Sequence, residues 1–424
     1  MDATPTLLRV GILSADEGAR AIQNIYLPAL QALPTSYQVK LLYNGTDKNK
    51  TPSSSTSTST SNTLCNDNLS SNGTTTPPPD IPSASTPREI LCDPTIDLIL
   101  NFMPNEYHET YTIAALDAGK NVMVETPVSL SIPSARRIID AEARAPNNAK
   151  VFVACARRYA PCIEKVFKRE VASLDRIYYA RCRNIAGPCA AHTATAHHHQ
   201  PIIRKQLQPW GTNTNVNAVA AAVDASTTQG QQLKHGLQQE MFRGQDITKE
   251  RIALSSFLAS LGCHDLGLMR DTIGYPDTVS SISVNEPYFS AVFHYSTGSG
   301  GKKEHPFTLM YETGVDAVPR CDAHLAVYGD TKTVSVSYGL PYGTRQPVRV
   351  VVETADENGD MKRLETVSGW EESYREELIA LHGYLTAGQS VKTTARDAVL
   401  DLKLFQTIFE QYDRQCGTIR TPLG

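Results

Sequence analysis

The chain has 424 residues, of which 41% are hydrophobic, and its net charge at pH 7 is −4. This length can bury a large core and suggests two domains. The small negative charge and the lack of a long apolar run argue against nucleic acid or a membrane as the partner and favour a small molecule. No secretory-type segment precedes the first strand, which predicts a cytoplasmic protein.

The first 43 residues have the pattern of a nucleotide-binding domain. A strand at residues 7–13, a helix at 19–33 and a strand at 37–43 are the start of a doubly wound parallel sheet. The turn after the first strand would hold the pyrophosphate of a dinucleotide, so Gly11, Ser14 and Gly18 are candidate cofactor-binding residues. No alignment restores a Gly-x-Gly-x-x-Ala spacing, and Asp16 or Glu17 places a carboxylate in the turn. Two outcomes stay open: an altered loop built on Gly18 that still admits the cofactor, or loss of the cofactor.

Asn44 ends the second strand, where a protein specific for NAD places an acid for the ribose hydroxyls. Its neutral side chain, followed by Lys48 and Lys50, suits the 2′-phosphate of NADP better and makes Asn44 a candidate cofactor-binding residue. Residues 45–88 are rich in Ser, Thr, Asn and Pro, which predicts a disordered insertion.

A second strand–helix unit follows the insertion. A buried strand at 97–102 leads to a turn with Tyr107 and His108, a helix at 109–118, and a strand that ends in Glu125-Thr126-Pro127. Pro127 ends strand pairing and leaves Glu125 and Thr126 at the carboxyl edge of the sheet, where ligands bind in parallel sheets.

This unit resembles the glucose-fructose oxidoreductase, inositol dehydrogenase and MocA (Gfo/Idh/MocA) family. Glu125-Thr126-Pro127 is similar to its Glu-Lys-Pro signature, and Glu106-Tyr107-His108 to its loop over the nicotinamide ribose. The resemblance implies NADP or NAD as cofactor, with Tyr107 and Glu125 near it and Thr126 and His108 as catalytic candidates. Thr126 replaces the family's Lys, and a hydroxyl cannot perform the proton transfer of an amine. His108 is alternatively a helix-cap residue.

The first domain is predicted to end at residue 155, after a helix at 131–145 and a strand at 151–155. The turn that follows holds Arg157 and Arg158, candidate substrate-binding residues, and Tyr159, a candidate catalytic residue. Structural ion pairs are the alternative for the two arginines. Residues 184–188 (NIAGP) resemble a fungal branch of the family.

Residues 190–235 contain His192 and the run His197-His198-His199, and predict a mobile loop with no metal site. Beyond it, residues 254–271 resemble the start of the family's catalytic helix. His264 is retained there and is the first catalytic candidate, whereas Ser260 replaces the family's first Asp and becomes a substrate-binding candidate.

The second domain, residues 156–424, is predicted to be α+β. Strands between residues 279 and 353 predict a large open, mainly antiparallel sheet, which in the family commonly forms a homo-oligomer surface. Helices follow at 373–387 and 395–413, and we expect the last one to pack back on the first domain.

These features predict a Rossmann-like oxidoreductase that uses NADP or NAD on a hydroxyl or carbonyl of a sugar-like, nucleoside-like or other cyclic metabolite, in a fungal biosynthetic pathway. Two alternatives stay open. One is a redox-neutral isomerase, cyclase or lyase that has lost the dinucleotide. The other is a non-catalytic sensor or regulator.

Overall fold

The computed structural model describes residues 6–45, 81–187, 225–296, 305–343 and 346–418. The first part is a five-stranded parallel sheet with strand order β2-β1-β3-β4-β5, as the apolar strands predict. Its order reverses between β1 and β3, so this is where a doubly wound sheet opens a crevice for a ligand. The strands are β1 (Leu8–Ser14), β2 (Tyr37–Asn44), β3 (Leu98–Phe102), β4 (Asn121–Glu125) and β5 (Val151–Ala154).

Helices cover both faces of this sheet. One face packs against α1, a π-helical turn at Ile22–Tyr26 and α2, which together form one continuous helical run. The opposite face packs against α3, α4 and α5 through a separate set of buried aliphatic side chains. The helices are α1 (Asp16–Ala21), α2 (Leu27–Gln31), α3 (Pro87–Cys92), α4 (His108–Asp117) and α5 (Ile132–Arg144).

The second sheet has eight strands in the order β13-β12-β11-β10-β6-β9-β8-β7, and β6 and β9 run parallel while the other neighbours are antiparallel. The outermost strand, β13, was not predicted, because it lies at the edge with both faces largely exposed and lacks an apolar alternation. The strands are β6 (Tyr179–Ala186), β7 (Thr278–Asn285), β8 (Tyr288–Tyr295), β9 (Phe307–Val315), β10 (Cys321–Tyr328), β11 (Lys332–Ser337), β12 (Val348–Ala355) and β13 (Met361–Ser368).

One long helical run crosses the core of the second part. It starts after Thr248, whose side chain accepts a hydrogen bond from the amide of Arg251, and continues through α8, a π-helical turn at Leu258–Gly262 and α9. By length and composition the run Lys249–Thr272 would suffice to cross a membrane, but 89% of its most apolar window is buried inside the protein. It is therefore placed as a core helix. The helices of this part are α6 (Lys168–Ala172), α7 (Ala225–Met241), α8 (Lys249–Phe257), α9 (Cys263–Thr272), α10 (Trp370–Ala387) and α11 (Ala395–Thr418).

The last two helices lie against the first sheet. Leu378 and Leu381 of α10 are fully buried in the same cluster as side chains of β1, β3 and the π-helical turn Ile22–Tyr26. The segment before α11 continues the sheet edge, since the amide of Val153 donates to the carbonyl of Thr393 at 2.8 Å. Both helices thus join the two parts of the chain into one body.

Two predicted loops differ from the structure at their ends. Of residues 45–88, positions 46–80, with Lys48 and Lys50, lie outside the described residues, while Ser83 bridges to Leu42 and α3 starts at Pro87. Of residues 190–235, positions 190–224, with the four histidines, also lie outside. The prediction of residues 225–235 as a loop was wrong, because they form the first turns of α7. This helix is held by its later turns, where Leu237 packs beside Leu130 of the first domain.

Candidate active site at the edge of the parallel sheet

A cleft that is open to solvent on one side lies at the carboxyl ends of β4 and β5. The second part of the chain closes it with α9, the loop after β11 and the first turns of α10. The wall is rich in aromatic rings, and this edge is where open parallel sheets bind ligands. The side chains that line the cleft include Tyr26, Glu125, Arg157, His264, Tyr342, Trp370, Ser373 and Tyr374.

Glu125 is the carboxyl group of this cleft. Its Oε2 atom is buried and has no hydrogen-bond partner, whereas the Tyr342 hydroxyl and the Thr126 amide hydrogen-bond to the carboxyl group. Burial, with a smaller contribution from the neighbouring carboxyl of Glu377, raises the pKa of Glu125 to about 8. Glu125 is therefore mostly protonated at neutral pH.

Tyr342 reaches Glu125 from a constrained loop. Its φ angle of 58° lies in the left-handed region, which is unfavourable for a bulky side chain. The backbone amide of Tyr342 hydrogen-bonds to the Tyr374 hydroxyl, so α10 holds the loop from the other side. The loop is thereby kept in a conformation that places a phenol at the carboxyl group.

His264 lies in the cleft, but not at a helix start as the sequence predicted. The run from Lys249 continues through it because the residues before it are apolar and buried, so His264 is the second residue of α9 in the helix interior. Its ring lies edge-on to Tyr342, with the centroids 6.2 Å apart. Burial, and next the positive charge of Arg157, lower the pKa of His264 to about 3, so the imidazole is neutral.

Arg157 lines the cleft with its charge already balanced. Its guanidinium pairs with the fully buried Asp265 at 2.6 Å, donates to the Gly339 carbonyl at 3.0 Å, and lies over the ring of Tyr338. The amide of Asn184 donates to both oxygens of Asp265, at 3.0 and 2.9 Å. Arg157, a predicted substrate-binding residue, therefore faces the cleft as part of a neutral pair, because the Asp265 carboxylate, held by Asn184, balances its charge.

Three other candidates for catalysis or substrate binding make contacts that stabilise the structure. Arg158 was predicted as a substrate ligand, but it is buried and paired with Asp397 at 2.6 Å and Asp271 at 3.1 Å. Tyr159 stacks on Phe152 and bonds to Thr393 at 2.7 Å, so its predicted catalytic role is not supported by its position. Ser260 donates to the Phe257 carbonyl of its own helical turn at 3.2 Å.

His108 and Thr126 shape the turn after β4. The two ring nitrogens of His108 each lie 2.8 Å from a carbonyl oxygen, those of Pro127 and Met103, and the ring is 1% exposed. Burial lowers the pKa of His108 to about 4. This effect is larger than that of the two carbonyls, which raise the pKa. The ring is thus a positioning group between two loops. Thr126 is half-buried and contributes its amide to Glu125.

Of the predicted cofactor residues, Glu125 lies in the cleft, whereas Gly11, Ser14, Gly18 and Asn44 belong to β1, α1 and β2 at the other side of the same sheet. Ser14 ends β1, and its hydroxyl donates to the Tyr43 carbonyl at 3.2 Å; Asn44 pairs with it in the neighbouring strand. Gly18 lies inside α1, where a Cβ would collide with the Phe102 carbonyl oxygen, and Gly11 makes room for Ile90 and Ile96. Both glycines therefore serve packing, a role that the third glycine of the dinucleotide fingerprint also has.

The β1–α1 turn consists of Ala15 in an extended conformation, with no side chain capping the amides of α1. Uncapped amides at this point are donors that suit a pyrophosphate, whereas the sequence between Ser14 and Gly18 has no glycine and two acidic residues, Asp16 and Glu17. Tyr107, from the turn after β3, packs beside Tyr111, and Gly230 of α7 faces its hydroxyl. α7 therefore lies over the turn after β3.

Sequence reasoning missed the cleft residues that come from distant segments. Tyr342, Trp370, Ser373 and Tyr374 carry no catalytic motif, and only a Pro-Tyr-Gly turn and a Gly-Trp helix start mark their positions. The buried carboxyl Glu377, which accepts from the Tyr26 hydroxyl at 2.9 Å, was missed as well. In the described part of the chain, no group of three or more metal-ligating side chains is found.

A parallel nucleotide-binding domain, a large open sheet and a cleft between them define a two-domain oxidoreductase fold. Residues 26–153 match the model of the Gfo/Idh/MocA oxidoreductase family with its NAD-binding Rossmann fold. The match begins at Tyr26, after the β1–α1 turn. Levoglucosan dehydrogenase in complex with NADH and levoglucosan superposes with a TM-score of 0.62 at 15% identity, over 97% of this chain and 98% of that one.

Two curated relatives match shorter segments. The inositol 2-dehydrogenase of Paracoccus denitrificans is 34% identical over 100 residues, which are 23% of this chain and 30% of the relative. The uncharacterized oxidoreductase YdgJ of Escherichia coli is 38% identical over 60 residues, 14% of this chain and 17% of the relative. The chain thus matches less than a third of the length of these relatives, while it shares the fold of levoglucosan dehydrogenase over nearly its whole length.

Proposed function

We propose that this protein is an NAD(P)-dependent oxidoreductase that acts on a hydroxyl or carbonyl group of a neutral, ring-shaped polyol. The observation that carries the proposal is the chemistry of the cleft. Two buried oxygen atoms of its wall, Glu125 Oε2 and Ser373 Oγ, have no protein hydrogen-bond partner. Buried polar atoms are normally paired, so these two suit the hydroxyl groups of a ligand.

The walls support a neutral and cyclic substrate. Trp370, Tyr374 and Tyr342 offer ring faces, on which the C–H faces of a sugar-like ring pack well. Among the described lining residues, Arg157 is paired with Asp265, and Glu125 is mostly protonated at neutral pH. A charged substrate would find no free counter-charge among these groups.

The cofactor assignment rests on the first part of the chain. The uncapped amides at the start of α1 would hold the pyrophosphate, and Asn44 at the end of β2 would face the adenosine ribose. When bound there, a nicotinamide dinucleotide supplies or accepts a hydride. The neutral Asn44 supports NADP over NAD, and this preference is part of the proposal.

A titration of the purified protein with NADPH and NADH tests this proposal. We expect an increase in nicotinamide fluorescence and a calorimetric Kd in the micromolar range, tighter for NADPH. The matched control is Gly18→Val, which would force α1 away from Phe102 and should weaken binding of both cofactors. No binding at millimolar cofactor would contradict the oxidoreductase proposal. myo-Inositol and levoglucosan are the first substrates to try, because similar proteins are named for them.

A redox-neutral acid–base enzyme is the second candidate. It is supported by Thr126 in place of an amine and by the family match that begins only after the β1–α1 turn. The same titration separates the two candidates, since a redox-neutral enzyme with this cleft would bind polyols but neither dinucleotide.

Two further assignments are proposals. The fungal biosynthetic setting rests on the resemblance of the segment that starts at Asn184, whose structural use is to hold Asp265. The homo-oligomer rests on the open face of the second sheet.

A further inference from the structure

We infer that Glu125 is the proton carrier of the cleft and exchanges a proton with the reacting oxygen of the substrate, while Tyr342 positions its carboxyl group. The inference rests on the proposed function, and it assigns to the residue before Thr126 the proton transfer that a hydroxyl at position 126 cannot perform.

The position of the Glu125 carboxyl group supports this role. Glu125 is the last residue of β4, at the carboxyl edge of the sheet, and it lines the cleft together with His264 and Tyr342. Its Oε2 atom is shielded from solvent without a hydrogen-bond partner. A buried carboxyl oxygen is costly to leave unpaired, so its retention on a cleft wall indicates a ligand contact.

The second argument is that the other polar groups of the cleft are unsuited. His264 is held neutral by burial and by Arg157, so it is a poor source of a proton near pH 7. Arg157 is engaged by Asp265 and by the Gly339 carbonyl. Ser373 offers an alcohol, whose proton is not acidic enough to be transferred. Among these four groups, Glu125 is the one with an exchangeable proton at neutral pH.

The third argument is positional support. The loop after β11 holds Tyr342 at a φ of 58° and ties its amide to Tyr374, while its hydroxyl bonds to Glu125. Strained residues of this kind cluster at functional sites, where the surrounding structure holds them. The Thr126 amide holds the carboxyl group from the strand side.

In the direction of reduction, a bound reduced nicotinamide dinucleotide would supply the hydride to the carbonyl carbon. Glu125 donates its proton to the carbonyl oxygen, where the C=O π electrons form the new O–H bond. The carboxylate left behind takes up a proton from water through the open side of the cleft. In the direction of oxidation, the carboxylate accepts the hydroxyl proton as the hydride leaves.

The titration of Glu125 depends on several neighbouring elements. Burial and Glu377 favour the protonated form, whereas Tyr342 and the Thr126 amide favour the carboxylate. The titratable and charged groups that face it are Tyr342 from the loop after β11, Glu377 and Tyr374 from α10, Tyr26 from the π-helical turn, Cys263 and His264 from α9, and Arg157 beside His264.

Infrared difference spectroscopy tests the inference without need of a substrate. The wild-type protein minus Glu125→Gln should show a protonated-carboxyl C=O band at pH 7 that disappears as the pH rises past about 8. Tyr342→Phe should shift this band. Glu357→Gln, in the exposed turn between β12 and β13, is the matched control and should leave the band in place. If the difference spectrum between the wild-type protein and Glu125→Gln lacks this band at pH 7, the inference is wrong.

Turnover gives the second readout. With NAD(P) and whichever of myo-inositol or levoglucosan is oxidised, Glu125→Gln should lower kcat by about 10²- to 10⁴-fold and change KM little. Glu357→Gln should keep full activity. An unchanged kcat in Glu125→Gln overturns the proton carrier while the proposed function stands. Lack of dinucleotide binding by the wild-type protein contradicts the proposed function instead.

Discussion

At the scale of single residues, close backbone contacts explain positions that looked functional in the sequence. Gly18 lies in α1, where an added Cβ would overlap the Phe102 carbonyl oxygen at the end of β3. That contact lets the helix lie tightly on the sheet at the crevice. The same position was predicted to make a turn, and its conformation is helical, so the glycine is needed for proximity and not for backbone freedom.

Gly18→Ala should therefore destabilise the protein by about 1–3 kcal/mol, since the helix or the strand end must move. Gly236→Ala is the matched control in α7, because nothing lies within 4 Å of its Cβ position and alanine favours a helix. Urea unfolding at constant pH measures both variants. Equal midpoints for the two substitutions would contradict the close contact at Gly18.

Residue types alone located part of the cleft. Glu125, Arg157 and His264 were candidates from local motifs, and the structure brings them to one cleft. The charge of Arg157 is balanced by Asp265, 108 residues further along the chain, and the carboxyl group of Glu125 is held by Tyr342, which lies in a distant loop and carries no motif of its own. A pKa is set by burial and by neighbours in space, and neither can be read from a short segment.

At the scale of elements, a buried ion-pair network joins three segments. Arg158, in the helical turn Ala156–Tyr159, contacts Asp271 of α9 and Asp397 of α11. Arg270 completes the network by pairing with Asp397 at 2.7 Å and Asp401 at 2.8 Å. These contacts fix the helix that carries His264 against the helical turn Ala156–Tyr159 and against α11.

Arg158→Met should cost about 3 kcal/mol of unfolding free energy, because its two carboxylate partners stay buried with fewer counter-charges. Arg169→Met is the control, since Arg169 is 65% exposed and its pair with Glu170 should contribute at most about 1 kcal/mol. Chemical denaturation gives both values. If Arg158→Met keeps its stability but loses polyol binding, the original assignment to the substrate would be right.

Local periodicity predicted most elements with small errors at their ends. The parallel strands are continuous apolar segments, and the helices have an apolar stripe, so their patterns are visible in short windows. The sequence did not predict β13, because an edge strand needs no buried face. It misplaced the start of α9, because α8 continues into that helix. Partners in space decided both cases.

At the scale of the whole molecule, buried titratable groups link stability to pH. Burial raises the pKa of Glu125 and Glu377 from 4.5 to about 8, so their contribution is complete below pH 4.5 and is lost as the pH rises through 8. The pKa values of His108 and His264 are lowered from 6.5 to about 4 and about 3, so theirs is lost as the pH falls below 6.5. Between pH 6.5 and 8, the two carboxyls dominate among these four groups.

Stability should therefore decline from pH 6.5 to 8, by up to about 1.4 kcal/mol per pH unit for each carboxyl. Glu125→Gln should flatten part of this decline, and Glu125→Gln with Glu377→Gln should flatten it further. Thermal unfolding across this pH range measures the slopes, with Glu357→Gln as the exposed control. A slope that is the same in the wild-type protein and in the double variant would exclude ionisation of these carboxyls as its cause.

The sequence by itself determined the two-part architecture, because strand and helix periodicities and the turn residues between them act over a few neighbours in the chain. It also determined which residue types stand at the edge of the parallel sheet, through the segment that ends in Glu125-Thr126-Pro127. Only the tertiary structure decided which of them share a cleft and in which ionisation state. Those properties depend on distances between α9, α10 and the loop after β11, and on water excluded by their packing.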